Sequence, residues 1–242
     1  MSAERVVVII QARMGSQRFP GKMMARLNGV PLIDWVLRRC HAAQTADEVV
    51  LATTDLDQDT VLAEAAVNLG IPVYRGSSAD VLGRYAEAAA RHPADIVVRI
   101  CADRPLVAPE VIDQAVTHYR RQHLDLAFNH IARPGANWPR GFGAEVLSRD
   151  LLNWLHDHAL TQQHREHVTL YVWDHADRYR ISPAPCPAAL DPGYAGVALD
   201  VDLPEHLEKL NEICVGLGPE AAAADILAAW RCSRFAGQVD VA

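Results

Sequence analysis

The chain has 242 residues, of which 50% are hydrophobic and 22% are charged, and its formal net charge at pH 7 is −7. A chain of this length and composition can bury a sizeable core, either as one α/β domain or as two small ones. The acidic balance argues against a general nucleic-acid binder, so we expect no nucleic-acid partner.

The cysteines and the apolar runs indicate the compartment. The five cysteines are odd in number and widely spaced, without a C-x-x-C pair, which is typical of reduced thiols and not of a disulfide framework. The apolar run at residues 5–10 is too short for a signal peptide, and no segment reaches the roughly twenty apolar residues that a membrane span needs. We therefore expect a cytoplasmic protein without a membrane partner.

Short β-branched runs alternate with stretches of helical periodicity in the first 129 residues. We predict strands over residues 5–10, 48–53, 73–75, 95–101 and 124–129, and helices over residues 32–43, 57–69, 80–90 and 109–121. This alternation indicates βαβ units, and the fold class it predicts is α/β with a mostly parallel sheet and flanking helices.

The pattern changes after residue 129. The segment ARPGANWPRGFG, residues 132–143, is rich in proline and glycine and is not expected to form a regular element. Beyond it we predict helices over residues 148–158, 163–175, 204–213 and 219–232, and a strand over residues 179–182. No linker or low-complexity run separates these parts, so we expect a single domain over residues 1–242 with a small subdomain at about 129–198.

The stretch QARMGSQRFPGK directly follows the first strand and places Arg13, Arg18 and Lys22 in one loop. The loop continues to about Val30, which is long for a connection from strand to helix, and such loops bind ligands in open α/β sheets. Its glycines allow a close backbone approach to an anion that the cations would neutralise. It fits neither the P-loop pattern nor the dinucleotide fingerprint. A solvated basic loop is the alternative.

The same stretch is similar to the A-R-x-G-S-x-R-x-P-G-K signature of the cytidylyltransferase family. That family includes the CMP-ketodeoxyoctonate and CMP-sialic acid synthetases and the SpsF-like spore-coat-polysaccharide proteins. Four later segments resemble family blocks in the same order: GIPVYRGSSADVLGRYAEAA, VVRICADRPLVAPEVID, REHVTLYV and VDLPEHLE. The resemblance covers most of the chain and implies a nucleotidyltransferase fold of the GT-A-like, Rossmann type.

The resemblance implies transfer of CMP from CTP to an acceptor, with Mg²⁺ as cofactor and pyrophosphate as the leaving product. Such a reaction needs a grip on the triphosphate and a cation at the α-phosphate. We expect Arg13, Lys22 and Asp103 to carry catalysis. The expected nucleotide-binding set is Gln11, Ala12, Arg13, Gly15, Ser16, Arg18, Lys22, Arg75, Ser77, Arg84 and Asp103. Transfer from UTP or GTP is an alternative within the same class, and Arg84 could instead be an ordinary surface arginine.

Two aspartates are the expected metal ligands. By resemblance these are Asp103, which follows a predicted strand, and Asp202, which precedes a predicted helix. An aspartate two residues before Pro204 is also a natural helix N-cap, so a capping role for Asp202 stays open. Asp200 stands where relatives usually carry threonine, and it places a third carboxylate near this site.

The acceptor side departs from the family pattern. In WPRGFGAEVL, Arg140 and Gly143 stand where relatives carry aspartates, and Arg104 and Ala108 replace a cysteine and an aspartate. The lost acids and the two gained cations predict an anionic acceptor. The expected acceptor-binding set is Arg104, Arg140, Gly141, Phe142, Glu145, Arg165 and His167.

The leading acceptor is a sugar acid of the nonulosonate or ketodeoxyoctonate type, and a phosphonate or phosphate-bearing molecule is the alternative. Arg140 could also face solvent without binding anything. A CTP-binding module without turnover is the alternative of another class. A zinc site at the histidines near residues 156–167 lacks the usual ligand spacing. The resemblance also implies a homodimer through residues 129–198.

Overall fold

The computed structural model describes residues 4–129, 138–159, 161–191 and 197–236. The strands are β1 (Val6–Gln11), β2 (Arg26–Leu27), β3 (Val30–Pro31), β4 (Glu48–Thr54), β5 (Val73–Gly76), β6 (Ile96–Cys101), β7 (Leu126–Phe128), β8 (Glu145–Ser148) and β9 (Ile181–Pro183). The helices are α1 (Leu32–His41), α2 (Thr60–Asn68), α3 (Val81–Arg91), α4 (Pro109–Gln122), α5 (Arg149–His158), α6 (Gln162–Glu166), α7 (Leu170–Asp174), α8 (Pro204–Ile213) and α9 (Ala223–Cys232).

Seven of the described strands form one sheet in the order β5-β4-β1-β6-β8-β7-β9, and β2 pairs with β3 in a separate hairpin. β5, β4, β1 and β6 pair in parallel, as do β7 and β9, whereas β8 runs antiparallel to both β6 and β7. The prediction of a mostly parallel α/β sheet with flanking helices is therefore confirmed.

The central strand explains why the sequence reads as a continuous apolar run. In β1 every residue from Val6 to Ile10 is buried, because β4 and β6 flank the strand and helices cover both faces. One core cluster packs α1, α2 and α4 on one face of the sheet, and a second packs α3 and α5 on the other. A third cluster joins the β2–β3 hairpin, α8 and α9 at one end of the molecule.

Several predicted boundaries were wrong because contacts distant in sequence decide them. The predicted helix 163–175 is two helices, α6 and α7, and between them Thr169 donates its hydroxyl to the buried Glu145 at 2.9 Å. The predicted helix 57–69 begins with a 3₁₀ turn, Asp57–Asp59. The predicted helix 219–232 begins only at Ala223. The carbonyls of residues 219 and 221 instead accept hydrogen bonds from Arg39.

The turn-rich segment predicted at 132–143 lies partly outside the described residues. Its described part contains an isolated parallel bridge between Arg140 and Ala198. Strand β8 was not predicted, and it follows this segment directly. Strands β8 and β9 come from the predicted subdomain at 129–198, yet both belong to the main sheet. The single domain and its acceptor or dimerisation subdomain stay predictions.

Within the described ranges, no helix combines the length and the apolar character that crossing a bilayer requires.

Candidate nucleotide and metal site

A cavity of about 670 Å³ opens at the carboxyl ends of β1 and β6. These two strands are parallel neighbours, with Gln11 paired to Cys101, so the loops that follow them meet at one edge of the sheet. The cavity is lined by Gln11, Ala12, Arg13, Gly15, Ser16, Gln17, Arg18, Lys22, Met23, Cys101, Ala102, Asp103 and Asp202. The structure thus brings together most of the predicted triphosphate loop and both predicted metal ligands.

The loop after β1 is held in shape by its own hydrogen bonds and by one buried carboxylate. The amide of Met14 donates to Oδ1 of Asp59, which is fully buried, at 2.7 Å. The amide of Phe19 donates to the hydroxyl of Ser16 at 3.2 Å. Gly21 has φ +72°, a conformation that favours glycine, and it allows the 3₁₀ turn that carries Lys22 to begin.

Each of the three cations of this loop contacts a carboxylate. Arg13 pairs with Glu166 of α6 at 2.8 Å. Arg18 lies 3.0 Å from Oδ2 of Asp202, and Nζ of Lys22 lies 3.5 Å from Oδ1 of the same residue. The Lys22 ammonium also donates to the carbonyl of Val201 at 2.8 Å. The three cations of the loop thus share two carboxylates, Glu166 and Asp202, and these contacts leave one positive charge in excess.

Asp103 and Asp202 are joined through the backbone. The amide of Val201 donates to the carbonyl of Asp103 at 2.8 Å, which places Asp202 next to the end of β6. Oδ1 of Asp103 is buried and has no hydrogen-bond partner among the described residues, and Nε of Arg104 lies 4.0 Å away. A buried carboxylate oxygen without a donor is costly unless a cation contacts it.

The donor set fits a hard divalent ion. Mg²⁺ commonly uses one or two protein carboxylates together with substrate phosphates, and two carboxylates lie here beside a triphosphate-sized cavity. In the described part of the chain, no group of three or more histidine, cysteine or acidic side chains is arranged to hold a metal. The site therefore suits an ion that the nucleotide helps to bind.

The capping alternative for Asp202 was wrong. The N-cap of α8 is Leu203, and no side chain among the described residues caps this helix. Asp202 instead directs its carboxylate to Arg18 and Lys22, while its own amide donates to Nδ1 of His206 at 3.1 Å. Its side chain is thus free of any helix-capping role.

The predicted base-recognition residues lie around the start of α3. Arg84 is 1% exposed, and its Nη1 donates to the carbonyl of Ser77 at 2.6 Å. Its Nε and Nη2 have no partner among the described residues, and burial lowers the pKa of this guanidinium. Arg84 is therefore not a surface arginine. Arg75, Ser77 and Arg84 are not among the residues that line the cavity. Arg75 donates to the carbonyls of Thr54 and Leu56 and to the hydroxyl of Thr60.

Two of the predicted acceptor residues lie in the interior. Phe142 is fully buried in the third core cluster. Glu145 is 2% exposed and contacts Arg99 at 2.6 Å and Thr169 at 2.9 Å. Gly141 has φ +106°, and a Cβ there would lie 2.7 Å from the carbonyl carbon of Leu199. These three positions hold the fold together where the acceptor was expected.

The cationic acceptor candidates are mostly paired. Nε of Arg140 lies 2.9 Å from Oδ1 of Asp200, so the two departures from the family pattern contact each other. Arg104 donates to the carbonyl of Gly143 at 3.3 Å. Arg165 forms a two-point ion pair with Asp80, the N-cap of α3.

The histidines near residues 156–167 do not form a zinc cluster in the described part of the chain. His164 contacts Asp174 at 2.9 Å, and His158 contacts the carbonyl of Trp154. His156 contacts Arg165 at 3.1 Å, and His167 is exposed. Three of these histidines thus contact neighbouring helical residues and not one another.

Sequence reasoning missed Glu166. Glu166 follows Arg165 in the REHVTLYV block and pairs with Arg13 of the basic loop. The only signal for this pairing in the sequence is that the two charges are opposite. Cys101 lines the cavity, and burial raises the pKa of its thiol, which keeps it protonated and unreactive.

Comparison with known proteins places the chain in a family. The cytidylyltransferase family model matches residues 7–213. The chain is 30% identical over 230 residues to the spore coat polysaccharide biosynthesis protein SpsF of Bacillus subtilis, covering 92% of each protein. It matches the structure of a cytidylyltransferase from Leptospira borgpetersenii with a TM-score of 0.86 and 27% identity, covering 99% of this chain and 100% of that one.

A CMP:2-keto-3-deoxy-manno-octonic acid synthetase solved with CTP shares the fold, with a TM-score of 0.65 and 19% identity over 88% of this chain and 99% of that one. The nucleotidyltransferase-type fold is therefore confirmed. The strand-end cavity, its cationic loop and the extent of these matches lead to one conclusion. The chain belongs to the cytidylyltransferase family and is a CTP-dependent nucleotidyltransferase.

Proposed function

We propose that this enzyme transfers CMP from CTP to a small acidic acceptor, with Mg²⁺ as cofactor and release of pyrophosphate. The observation that carries the proposal is the arrangement of the cavity, where a loop with Arg13, Arg18 and Lys22 faces the carboxylates of Asp103 and Asp202. A metal-nucleotide complex carries both kinds of complementary charge, because its phosphates suit the cations and its ion suits the carboxylates.

In the proposed reaction an acceptor hydroxyl oxygen attacks the α-phosphorus of CTP. A bond forms between that oxygen and phosphorus while the hydroxyl proton passes to solvent, the bond from phosphorus to the bridging oxygen breaks, and pyrophosphate leaves. Arg13 and Lys22 grip the β- and γ-phosphates, and their charge stabilises the leaving group. Bound at Asp103 and Asp202, Mg²⁺ would neutralise charge on the α-phosphate. No protein nucleophile is required, since the residues act by positioning and charge.

Base recognition falls to Arg84 and to the end of β1. Two nitrogens of the Arg84 guanidinium have no partner among the described residues, and an acceptor-rich pyrimidine edge can supply one. Oε1 of Gln11, which lines the cavity, is likewise buried and without a described donor. A site built to pair a particular base edge rejects bases that leave such groups unpaired.

A sugar acid remains the leading acceptor. Its carboxylate needs at least one cation, and Arg104 lies beside Asp103 with a half-buried side chain. The phosphonate or phosphate alternative relied on Arg104 and Arg140 together. Because Asp200 balances the charge of Arg140, the support for a doubly charged acceptor is reduced.

The inactive CTP-binding module is disfavoured by the same geometry. The proposed catalytic residues Arg13, Lys22 and Asp103 all line one cavity, which is the arrangement that turnover requires and that binding alone does not. We also retain the homodimer as part of the proposal, through residues 129–198. Trp154 of α5, which lies in this region, is 39% exposed and stacks on His158.

The test is pyrophosphate release from CTP and Mg²⁺ with a panel of acidic acceptors. The panel contains nonulosonates, ketodeoxyoctonate, a phosphonate alcohol and a phosphate-bearing alcohol, with the Asp103→Asn variant as the matched inactive control. Release with a sugar acid supports the proposal, and release only with a phosphonate or phosphate acceptor moves it to the alternative. CTP binding without release on any acceptor favours the binding module.

A further inference from the structure

Arg140 and Asp200 form an ion pair, and Asp200 stands two residues before Asp202, the second proposed metal ligand. Nε of Arg140 lies 2.9 Å from Oδ1 of Asp200, and both side chains are mostly shielded from solvent, with exposed fractions of 25% and 18%. The other contacts of Arg140 in the described structure come from its backbone, whose amide donates to Val197 and whose carbonyl accepts from Leu199. Among the described residues, the side chain of Arg140 thus forms its ion pair and hydrogen bond with Asp200.

The segment that Arg140 contacts is the one that carries the second metal ligand. Arg140 pairs through its backbone with residues 197 and 199 of this segment. Further along the same segment, the amide of Val201 donates to the carbonyl of Asp103 at 2.8 Å, and Asp202 follows directly. Close approach of the backbones requires the glycine at position 141, where a Cβ would lie 2.7 Å from Leu199. These backbone bonds hold the segment in place whatever side chain stands at position 140.

Asp200 and Asp202 face the same side of this segment. Val201 between them is fully buried, whereas both aspartates are partly exposed, which is the alternation of an extended chain. Side chains two residues apart on an extended chain begin about 7 Å from each other. A free carboxylate at position 200 could therefore reach an ion held by Asp202, making a third acidic ligand.

We propose that Arg140 is a positioning residue that holds Asp200 away from the metal, so that Asp103 and Asp202 supply its acidic ligands once the nucleotide phosphates take over Arg18 and Lys22 from Asp202. This inference rests on the proposed function, and it deepens it. In the described structure no three acidic, histidine or cysteine side chains form a metal-binding group, although three aspartates lie on neighbouring segments. The pairing of Asp200 with Arg140 accounts for that arrangement.

The number of acidic ligands matters for turnover. With two carboxylates the ion keeps positions and positive charge for the phosphate oxygens, as is usual for Mg²⁺ at nucleotide sites. A third carboxylate would bind the free ion more tightly, but it would take a position and reduce the charge offered to the α-phosphate. Loss of Arg140 should therefore raise metal affinity and lower the rate, a combination that simple structural damage does not produce.

The experiment measures Mn²⁺ binding by calorimetry without nucleotide, together with kcat for pyrophosphate release. It compares the wild type with Arg140→Gln, Asp200→Asn and the double variant. Arg180→Gln, which removes the exposed ion pair with Asp125, is the matched control. Melting temperatures are recorded for all variants, and Arg140→Gln should melt close to the wild type because the backbone bonds of residue 140 remain.

We expect Arg140→Gln to bind Mn²⁺ about fivefold more tightly or better, since one negative charge is uncovered near the ion. Its kcat should fall by about tenfold, because the ion is less available to the phosphate. Asp200→Asn should weaken Mn²⁺ binding, since Arg140 is then an unbalanced cation. The double variant should return both quantities towards wild type, as expected for residues that act through one another.

Unchanged or weaker Mn²⁺ binding by Arg140→Gln would overturn the inference, as would a double variant that fails to reverse the single change. A raised acceptor KM with unaltered Mn²⁺ affinity would instead assign Arg140 to the acceptor. Failure of the proposed function is distinguishable, because it would appear in the wild type as Mn²⁺ binding without pyrophosphate release from CTP.

Discussion

The backbone amide of Val201 donates a hydrogen bond to the carbonyl oxygen of Asp103 across a distance of 2.8 Å. This bond connects the end of β6 with the segment before α8, which lies almost a hundred residues further along the chain. It brings the carboxylates of Asp103 and Asp202 to one wall of the cavity. Because the bond uses no side-chain atom, both carboxylates can be replaced without breaking it.

Replacing either aspartate by asparagine should therefore remove charge while preserving the architecture. We expect Asp103→Asn and Asp202→Asn each to lower kcat by about a hundredfold or more, since in the proposed mechanism each would hold the ion at the reacting phosphate. Pyrophosphate release at saturating Mg²⁺ is the measurement, and Asp177→Asn on the exposed surface is the control. Near-normal release by Asp103→Asn would mean that the metal binds elsewhere.

Arg84 should increase the affinity for CTP while lowering the stability of the folded protein. We expect CTP to bind more tightly than ATP, and Arg84→Met to weaken CTP binding by about tenfold, the loss of one charged hydrogen bond. The melting temperature should stay the same or rise, since a buried guanidinium with two unpartnered nitrogens is removed from the described structure. Calorimetry and thermal melting test this, with the exposed Arg121→Met as control. Equal affinities for CTP and ATP in the wild type would contradict the cytidylyl assignment.

Under the proposed function, in which Arg13 binds the triphosphate, Glu166 competes with the nucleotide for Arg13. The two side chains pair at 2.8 Å with exposed fractions of 41% and 29%, so a triphosphate must displace the carboxylate before it can use this cation. We expect Glu166→Gln to tighten CTP binding by about threefold at low salt, and the gain to shrink as salt screens the pair. Titrations at two ionic strengths measure it, with Glu212→Gln as a surface control. Weaker binding in this variant would show that Glu166 contacts the nucleotide itself.

The ion pair between Asp80 and Arg165 should make the free energy of unfolding depend on pH in the acidic range. Burial alone would raise the pKa of Asp80, but hydrogen bonds from Arg165 and Gly83 outweigh it and hold the pKa below its usual 3.8. When folding lowers the pKa of a carboxyl group, that group stabilises the protein at pH values above its pKa in the unfolded state. The contribution is lost as the pH falls through the pKa of the folded state.

Asp80→Asn keeps a good N-cap for α3 but loses the charge. We expect it to reduce the free energy of unfolding by about 1 kcal/mol at pH 7. The difference from wild type should narrow as pH drops below 3.8. Denaturant unfolding at several pH values tests this, with Asp125→Asn as control. A difference that is constant with pH would assign the effect to capping instead.

The parts of the site that the sequence predicted are formed by residues that lie close together in the sequence or directly after a predicted strand. Arg13, Arg18 and Lys22 lie within ten residues of each other after an obvious strand, and Asp103 follows another, so the geometry of a parallel sheet brings them together. The pairings that tune the site were not predictable. Arg13 and Glu166 are 153 residues apart, and Arg140 and Asp200 are 60 apart, and nothing local encodes such contacts.

The fold shows the same division. Long periodic segments were predicted to within a few residues, whereas β8 is only four residues long and begins with the buried acid Glu145, which contradicts the pattern of an apolar strand. That acid is balanced by Arg99 from the neighbouring strand β6. It also accepts from Thr169 at the break between α6 and α7, so a single long-range contact explains two errors.

The reversed strand β8 also determines the order in which the sheet can be completed. It lies between β6 and β7, although it follows β7 in the chain, so β7 has no place beside β6 until residues 145–148 arrive. Until then the apolar strand β6 presents an open edge, which is a template for pairing with other chains. Closing this edge requires a contact of long sequence separation, and such contacts form slowly. A folding chain in which β8 has not yet docked therefore exposes this edge of β6 to pairing with other chains.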